Sequence, residues 1–333
     1  MHHGEKDMTK VAVLDDWQGV ARTSADWSPL QARADVVFFA KAFENEDDAA
    51  RQLADFDIVL SMRERTPLPA SLINRLPKLR MLGMTGARNA SLDTAACTAR
   101  GIAVCNTIGG ANTEAATAEL ALGLLIAAAR AIPAGDANIR GGKFQEGVPV
   151  GYALAGKTMG VIGLGRLGSH MARYCKALNM NLLAWSQNLT AERAQAAGAA
   201  MVSKEELLSR SDAVSIHLVL SDRTRGLITA ADIARMKPGA ILINTSRGPI
   251  VEEKALIEAV QARRIVAALD VFDREPLPAN HPLRSAPNAV MTPHLGYGVH
   301  ETWQGFYPQS VENALAFLDG KPVRVTNPEA LAR

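Results

Sequence analysis

The chain has 333 residues, long enough for two cores, and its 48% hydrophobic and 21% charged residues exclude a disordered or collagen-like polymer. A formal net charge of +2, with Lys and Arg scattered among acids, excludes a basic footprint for nucleic acid and points to small ligands. Cys97, Cys105 and Cys175 match neither a metal-ligand nor a disulfide spacing and read as free thiols of a cytoplasmic protein, and the apolar run 120–129 is too short for a membrane span.

The opening MHHGEKDM has no apolar signal-peptide core and stands outside the fold. From residue 9 onward, short apolar runs alternate with helical patterns, the rhythm of parallel βαβ units. KVAVLDD, DIVLSM, RMLGMTG and IAVCNT read as strands of a first series. ANTEAATAELALGLLIAAARAI, residues 111–132, reads as one long helix, with Asn112 or Thr113 near its cap and acids in its first turns, where the helix dipole favours them. GDANIRGGKFQEGVPVGYALAG then has many glycines and little periodicity, which predicts an extended excursion of the kind that packs on a second subunit.

A second, more regular series follows: KTMGVIGLG, MNLLAW, DAVSIHLVL, AILINTS, VAALDVF and NAVMTPH, six strands that suffice for a doubly wound sheet. Between them, RLGSHMARYCKAL, KEELLSR, TAADIARM and EEKALIEAVQAR repeat apolar residues at spacings of three and four, as helices do. TWQGFYPQSVENALAFLDG reads as a last helix ending at Gly320.

VIGLGRLG places Gly163, Gly165 and Gly168 in G-x-G-x-x-G spacing, after a strand and at the start of a helix. The first glycine permits a tight turn, the second lets backbone approach a pyrophosphate, and the third lets helix pack on strand. The helix start then offers N–H groups to phosphate. An acid is expected at the end of the next strand to hold the adenosine ribose of NAD, yet Ser186 stands there, followed by Gln187 and Asn188. A hydroxyl removes the repulsion of a 2′-phosphate, so both NAD and NADP stay open as cofactors.

Three further strand ends carry chemistry: Arg247 in LINTSRGPIV, Glu275 in ALDVFDREPL and His294 in VMTPHLGYG. Ligands of open parallel sheets bind outside the carboxyl ends of the strands, so a cation, a carboxylate and an imidazole are expected around one pocket.

In this order, VIGLGRLG, INTSRG, LDVFDREPL and TPHLGYG resemble the D-isomer-specific 2-hydroxyacid dehydrogenase family. The resemblance implies two doubly wound parallel-sheet α/β domains, a Rossmann-type cofactor domain (106–294) inserted into a flavodoxin-like substrate domain (9–105 plus 295–333). It implies that His294 is the general acid, that Glu275 pairs with it, and that Arg247 binds the substrate carboxylate and polarises the ketone. GMTGARNASLD resembles the substrate-domain loop, where Gly86, Ala87, Arg88 and Asn89 would receive the carboxylate and Thr85 would approach the cofactor. Arg166, Leu167, Thr245, Asp270 and Gly296 fall at matching cofactor positions, with Ser246 beside Thr245 counted among them and Asp270 expected near the nicotinamide carboxamide, while His217, at a strand end, reads either as a cofactor contact or as a packing residue. Val219 stands where the family usually has proline.

The implied activity is hydride transfer between NAD(P)H and a small 2-oxo acid such as glyoxylate or hydroxypyruvate, by a homodimer without metal, nucleic acid or membrane partners. The acid at Glu275 argues against formate dehydrogenation. Phosphoglycerate dehydrogenase and an NADH-sensing scaffold are the alternatives, and Arg63 and Arg65 in MRERTPLP read either as a solvated charge run or as partners of an acidic substrate tail.

Overall fold

The computed structural model describes residues 8–111 and 113–332, and the chain divides into two compact units. One unit holds the chain up to Thr113 together with Val299 onward, and the other holds Glu114–Gly298. The expected boundaries at 105/106 and 294/295 thus differ from the contact boundaries by a few residues at each crossing. The reason is local pairing within the first unit: Asn313 Nδ2 donates to Asn106 O at 2.8 Å, and Gln309 Nε2 to Ile108 O at 2.9 Å. Both side chains belong to the helix His300–Leu318, so residues 106–113 travel with it.

The first unit is built on strands β1 (Thr9–Val13), β2 (Ala34–Phe38), β3 (Ile58–Ser61), β4 (Met81–Met84) and β5 (Ala103–Asn106), all parallel, in the order β2-β1-β3-β4-β5. This is the flavodoxin-like winding. β3 and β4 are buried at every position, as strands covered on both faces are.

The second unit has seven strands: β6 (Thr158–Ile162), β7 (Asn181–Trp185), β8 (Ala200–Met201), β9 (Ala213–Ile216), β10 (Ile241–Asn244), β11 (Val266–Leu269) and β12 (Ala289–Met291), in the order β12-β11-β10-β9-β6-β7-β8. The six strands read from the sequence are present. β8 is the addition, because two exposed residues without an apolar run leave no pattern to read. The order is that of a Rossmann sheet, reversing direction at β6 and β9. Alternate residues feed two cores: Met159, Val161, Ile241 and Ile243 face one side, and Ile162, Val214, Ile216 and Leu242 the other.

The helix expected over 111–132 is shorter and broken. It runs Ala116–Ala129, then a second helix Ile132–Arg140 leaves it at 68°. Ala131 takes left-handed backbone, φ +50, at the junction, and Pro133 opens the new helix where its missing N–H is harmless. Asn112 lies outside the described residues, and Thr113 Oγ1 donates to Gly110 O rather than capping the helix. The second helix also takes up the start of the excursion expected from Gly135, so only its later part is irregular. Among the described residues no single helix is long and apolar enough to cross a membrane.

Candidate active site

The glycine loop joins β6 to the helix Arg166–Ala177, as its motif requires. Gly163 has φ +95, and a Cβ there would sit 2.5 Å from His217 O; one on Gly168 would sit 2.1 Å from Gly163 O. Neither position admits another residue. A Cβ on Gly165 would meet nothing within 4 Å, so the loop is open just where backbone must approach a phosphate. Arg166 is exposed and Leu167 half-buried in the first turn.

Ser186 and Gln187 follow the end of β7, half-buried and exposed. Ser186 O accepts from Leu189 N at 3.1 Å, which curls the chain toward the helix Ala191–Ala196. His217 follows the end of β9, half-buried, with Nε2 2.9 Å from Ser215 Oγ. Burial lowers its pKa to about 4, so the ring is neutral near pH 7. Its Nδ1 and the Oγ1 of Thr245, at the end of β10, are both buried without a partner among the described residues. Buried polar atoms are almost always paired, so these two orphans fit a ligand rich in hydrogen-bonding groups.

Arg247 is steadied by the turn that carries it. Ser246 Oγ donates to Ile216 O at 2.8 Å, Asn244 Nδ2 to Arg247 O at 2.9 Å, and Arg247 Nη1 to Ser246 O at 2.7 Å.

Asp270, beyond β11, is fully buried. Its Oδ1 accepts from Thr292 Oγ1 at 2.6 Å and Leu295 N at 2.7 Å, and its Oδ2 from Gly296 N at 2.8 Å. Its main-chain oxygen accepts from His294 N at 2.9 Å. Desolvation raises the carboxyl pKa against these hydrogen bonds. One aspartate therefore ties the turn 292–296 to the sheet, and Thr117 Oγ1 ties it again through Gly296 O at 3.0 Å.

That turn presents His294 with φ +54. The imidazole Nδ1 lies 2.5 Å from Glu275 Oε2, and Tyr297 packs edge-on at 5.6 Å. Glu275 Oε1 accepts from Phe272 N at 2.9 Å, so the carboxylate is itself held in place. With Nδ1 taken up by Glu275, Nε2 is the nitrogen of the imidazole left for chemistry.

In the first unit, Thr85 Oγ1 accepts from Arg63 N at 3.0 Å and is buried at the end of β4. Gly86 N donates to Thr107 Oγ1 at 3.2 Å, and Asn89 Nδ2 donates to Arg63 O at 2.5 Å. The backbone N–H groups of Ala87, Arg88 and Asn89 have no partner among the described residues, so the loop still offers three donors to an anion although Gly86 does not. Arg65 donates Nη1 to Asp15 O at 3.0 Å and lies over the Trp17 ring at 4.6 Å.

Residues 122–296 match the family described as D-isomer specific 2-hydroxyacid dehydrogenase, NAD binding domain. The chain belongs to this family. Within it, the glyoxylate reductase of Aeropyrum pernix is 38% identical over 273 residues, 79% of this chain and 81% of that one. The D-3-phosphoglycerate dehydrogenase of Archaeoglobus fulgidus is 37% identical over 281 residues, 84% of this chain and 53% of that one, so the chain spans about half the length of that relative. The crystal structure of phosphoglycerate oxidoreductase from Vibrio cholerae O395 has a TM-score of 0.87 and 34% identity, covering 94% of this chain and all of that one.

A 2-hydroxyacid dehydrogenase of this fold carries a dinucleotide domain, and the open Gly165 together with the orphaned Thr245 and His217 atoms fits NAD or NADP. Two residues were not legible from the motifs. Asp15, buried at the end of β1, keeps Oδ2 without a partner, and Arg193 donates Nη2 to Leu164 O at 3.3 Å inside the glycine loop. The doubled acid in LDDW was the available signal for the first. For the second it was a cation in the helix that follows Ser186.

Proposed function

We propose that this chain reduces small 2-oxo acids such as glyoxylate or hydroxypyruvate to 2-hydroxy acids, and runs the reverse oxidation, with NAD(H) or NADP(H). The observation that carries this reading is the His294–Glu275 pair, 2.5 Å apart on the turn that Asp270 anchors. The nicotinamide, when bound, supplies or accepts the hydride. Glu275 accepts from Nδ1–H, which leaves Nε2 of the imidazolium to donate its proton to the carbonyl oxygen and to recover it in oxidation. Arg247, a planar and permanently charged fork, holds the substrate carboxylate and draws electron density from the ketone. Glu275 positions the histidine and does not itself touch substrate.

Steady-state oxidation of NADH and NADPH against a panel of 2-oxo acids, including a phosphorylated one, tests the proposal. Turnover of at least one member supports it, and none with either nucleotide overturns it. Turnover confined to the phosphorylated acid moves the assignment to a phosphoglycerate dehydrogenase-like enzyme, where Arg63 and Arg65 bear on the substrate tail.

We infer that the enzyme is a homodimer. Ile132, Ile139 and Phe144 expose 51%, 58% and 67% of their surface, and Val150 is wholly exposed, along the segment where the excursion was expected. Light scattering showing a monomer at working concentration removes this inference. A cytoplasmic setting suits the cysteines, since burial pushes the Cys97 and Cys175 thiols up to about 12 and Cys105 to about 11, protonated and unpaired.

A further inference from the structure

The end of β7 and the glycine loop meet in one corner. Gly163 N donates to Trp185 O at 2.8 Å, and the next residue along the strand is Ser186. In this winding the corner receives the adenosine ribose, and an acid at the strand end is what reserves it for NAD. Here the acid is absent, and a cation reaches the corner from farther along the chain. Arg193, in the helix Ala191–Ala196, lays its guanidinium against the loop, with Nη2 3.3 Å from Leu164 O.

We propose that Arg193 reads the 2′-phosphate of NADP(H), with Ser186 beside it, so that this chain takes NADP in preference to NAD. This rests on the dinucleotide reading of the glycine loop and names its cofactor. One Arg193 N–H anchors the fork to Leu164, and the remaining donors have no protein partner among the described residues. A guanidinium held at one corner and open at the others suits a phosphate dianion, which accepts two parallel hydrogen bonds. Ser186 adds a hydroxyl donor where a carboxylate would repel. The adjacent acid, Glu192, keeps its charge, its carboxyl held below the usual range by its own backbone N–H and then by the Thr190 hydroxyl at the start of the helix, and it makes no ion pair with Arg193 among the described residues. Gln187 and Asn188 are exposed and uncharged, so Arg193 is the cation of this strand-to-helix turn.

The test is calorimetric and needs no turnover: binding of 2′,5′-ADP and of ADP, which lacks the 2′-phosphate, to the whole chain and to three variants. The parent should bind 2′,5′-ADP at least tenfold more tightly than ADP. In Arg193→Ala the ratio of the two affinities should fall about thirtyfold, the ~2 kcal/mol of a charge-assisted pair. Arg193→Lys should fall between, since charge remains and the fork is lost. Ser186→Asp should reverse the preference. Equal affinities in the parent, or an unchanged ratio in Arg193→Ala with native circular dichroism, overturn the assignment of Arg193. Failure of both ligands to bind overturns it along with the dinucleotide reading. Failure of the oxo-acid panel alone leaves these binding ratios intact, so the two proposals fail separately.

Discussion

Each sheet places a buried aspartate just past a strand end, Asp15 after β1 and Asp270 after β11, and these two are treated very differently. Asp270 has both carboxylate oxygens filled by three donors from one turn, whereas Asp15 accepts from Thr66 alone, through its Oγ1 at 2.9 Å and its backbone N–H, and leaves Oδ2 unpaired. Both are desolvated, and desolvation raises both pKa values, that of Asp15 to about 6. The difference teaches what burial of a carboxylate is for. At Asp270 the buried charge organises backbone that carries His294. At Asp15 it is met by one residue, Thr66, and by the nearby charge of Arg65, and one oxygen stays without a partner among the described residues.

The largest effect should come from Asp270→Ala. Removing the acceptor strands the Thr292 hydroxyl and two backbone N–H groups, for a loss of about 3 kcal/mol in denaturant unfolding, together with a turnover loss near that of deleting the histidine. Asp15→Ala losing as much stability would erase the contrast between the two acids. Next, His294→Ala should lower kcat about 10³-fold on any oxo acid the parent turns over, while the melting temperature moves little, because the turn is tied by Asp270 and not by the ring. Equal kcat in mutant and parent would remove His294 from the mechanism.

Asp15 should show itself through pH. Its folded pKa, about 6, lies above its unfolded value, so the stability it contributes is present below about pH 4 and lost as pH rises through 6. Asp15→Asn keeps the Thr66 contact and removes the titration; relative to the parent it should gain stability from pH 4 to 6, by at most about 3 kcal/mol. His217 has the opposite sign: its folded pKa, about 4, lies below the unfolded value, so its contribution is present above pH 6.5 and lost as pH falls through 4. His217→Gln should therefore gain on the parent only toward acid. Unfolding curves at pH 4.5 and 7.5 separate the two, and parallel pH profiles for both variants would sink this account. Smallest, Asn89→Ala should cost about 1–2 kcal/mol, for the bond from Nδ2 to Arg63 O and the one its Oδ1 accepts from Ser91 N at 2.9 Å.

Much of this molecule was legible because its signals are local. Gly163, Gly165 and Gly168 sit within one turn of chain, between an apolar strand and an amphipathic helix, and period alone places them. The His294–Glu275 pairing came from a resemblance in motif order, and the coordinates supply its distance. What escaped reading depends on partners far along the chain: Asp270 meets Thr292 and Gly296 across 22 and 26 residues, and Arg193 reaches back 29 residues to Leu164. The broken helix was readable in principle. Pro133 disfavours helical backbone at the residue before it and warns of a boundary, but the alanine-rich run on its N-terminal side hid the warning.

The left-handed backbone at His294 has a consequence for how this protein can be improved. A residue with a branched or bulky Cβ holds φ +54 at a cost of about 1 kcal/mol, which glycine and asparagine avoid. A library selected only for survival on heating would thus drift toward glycine or asparagine at position 294, and its hardiest members would be catalytically silent. Engineering for heat tolerance has to carry an activity readout from the first round, because at this position robustness and chemistry pull the sequence in opposite directions.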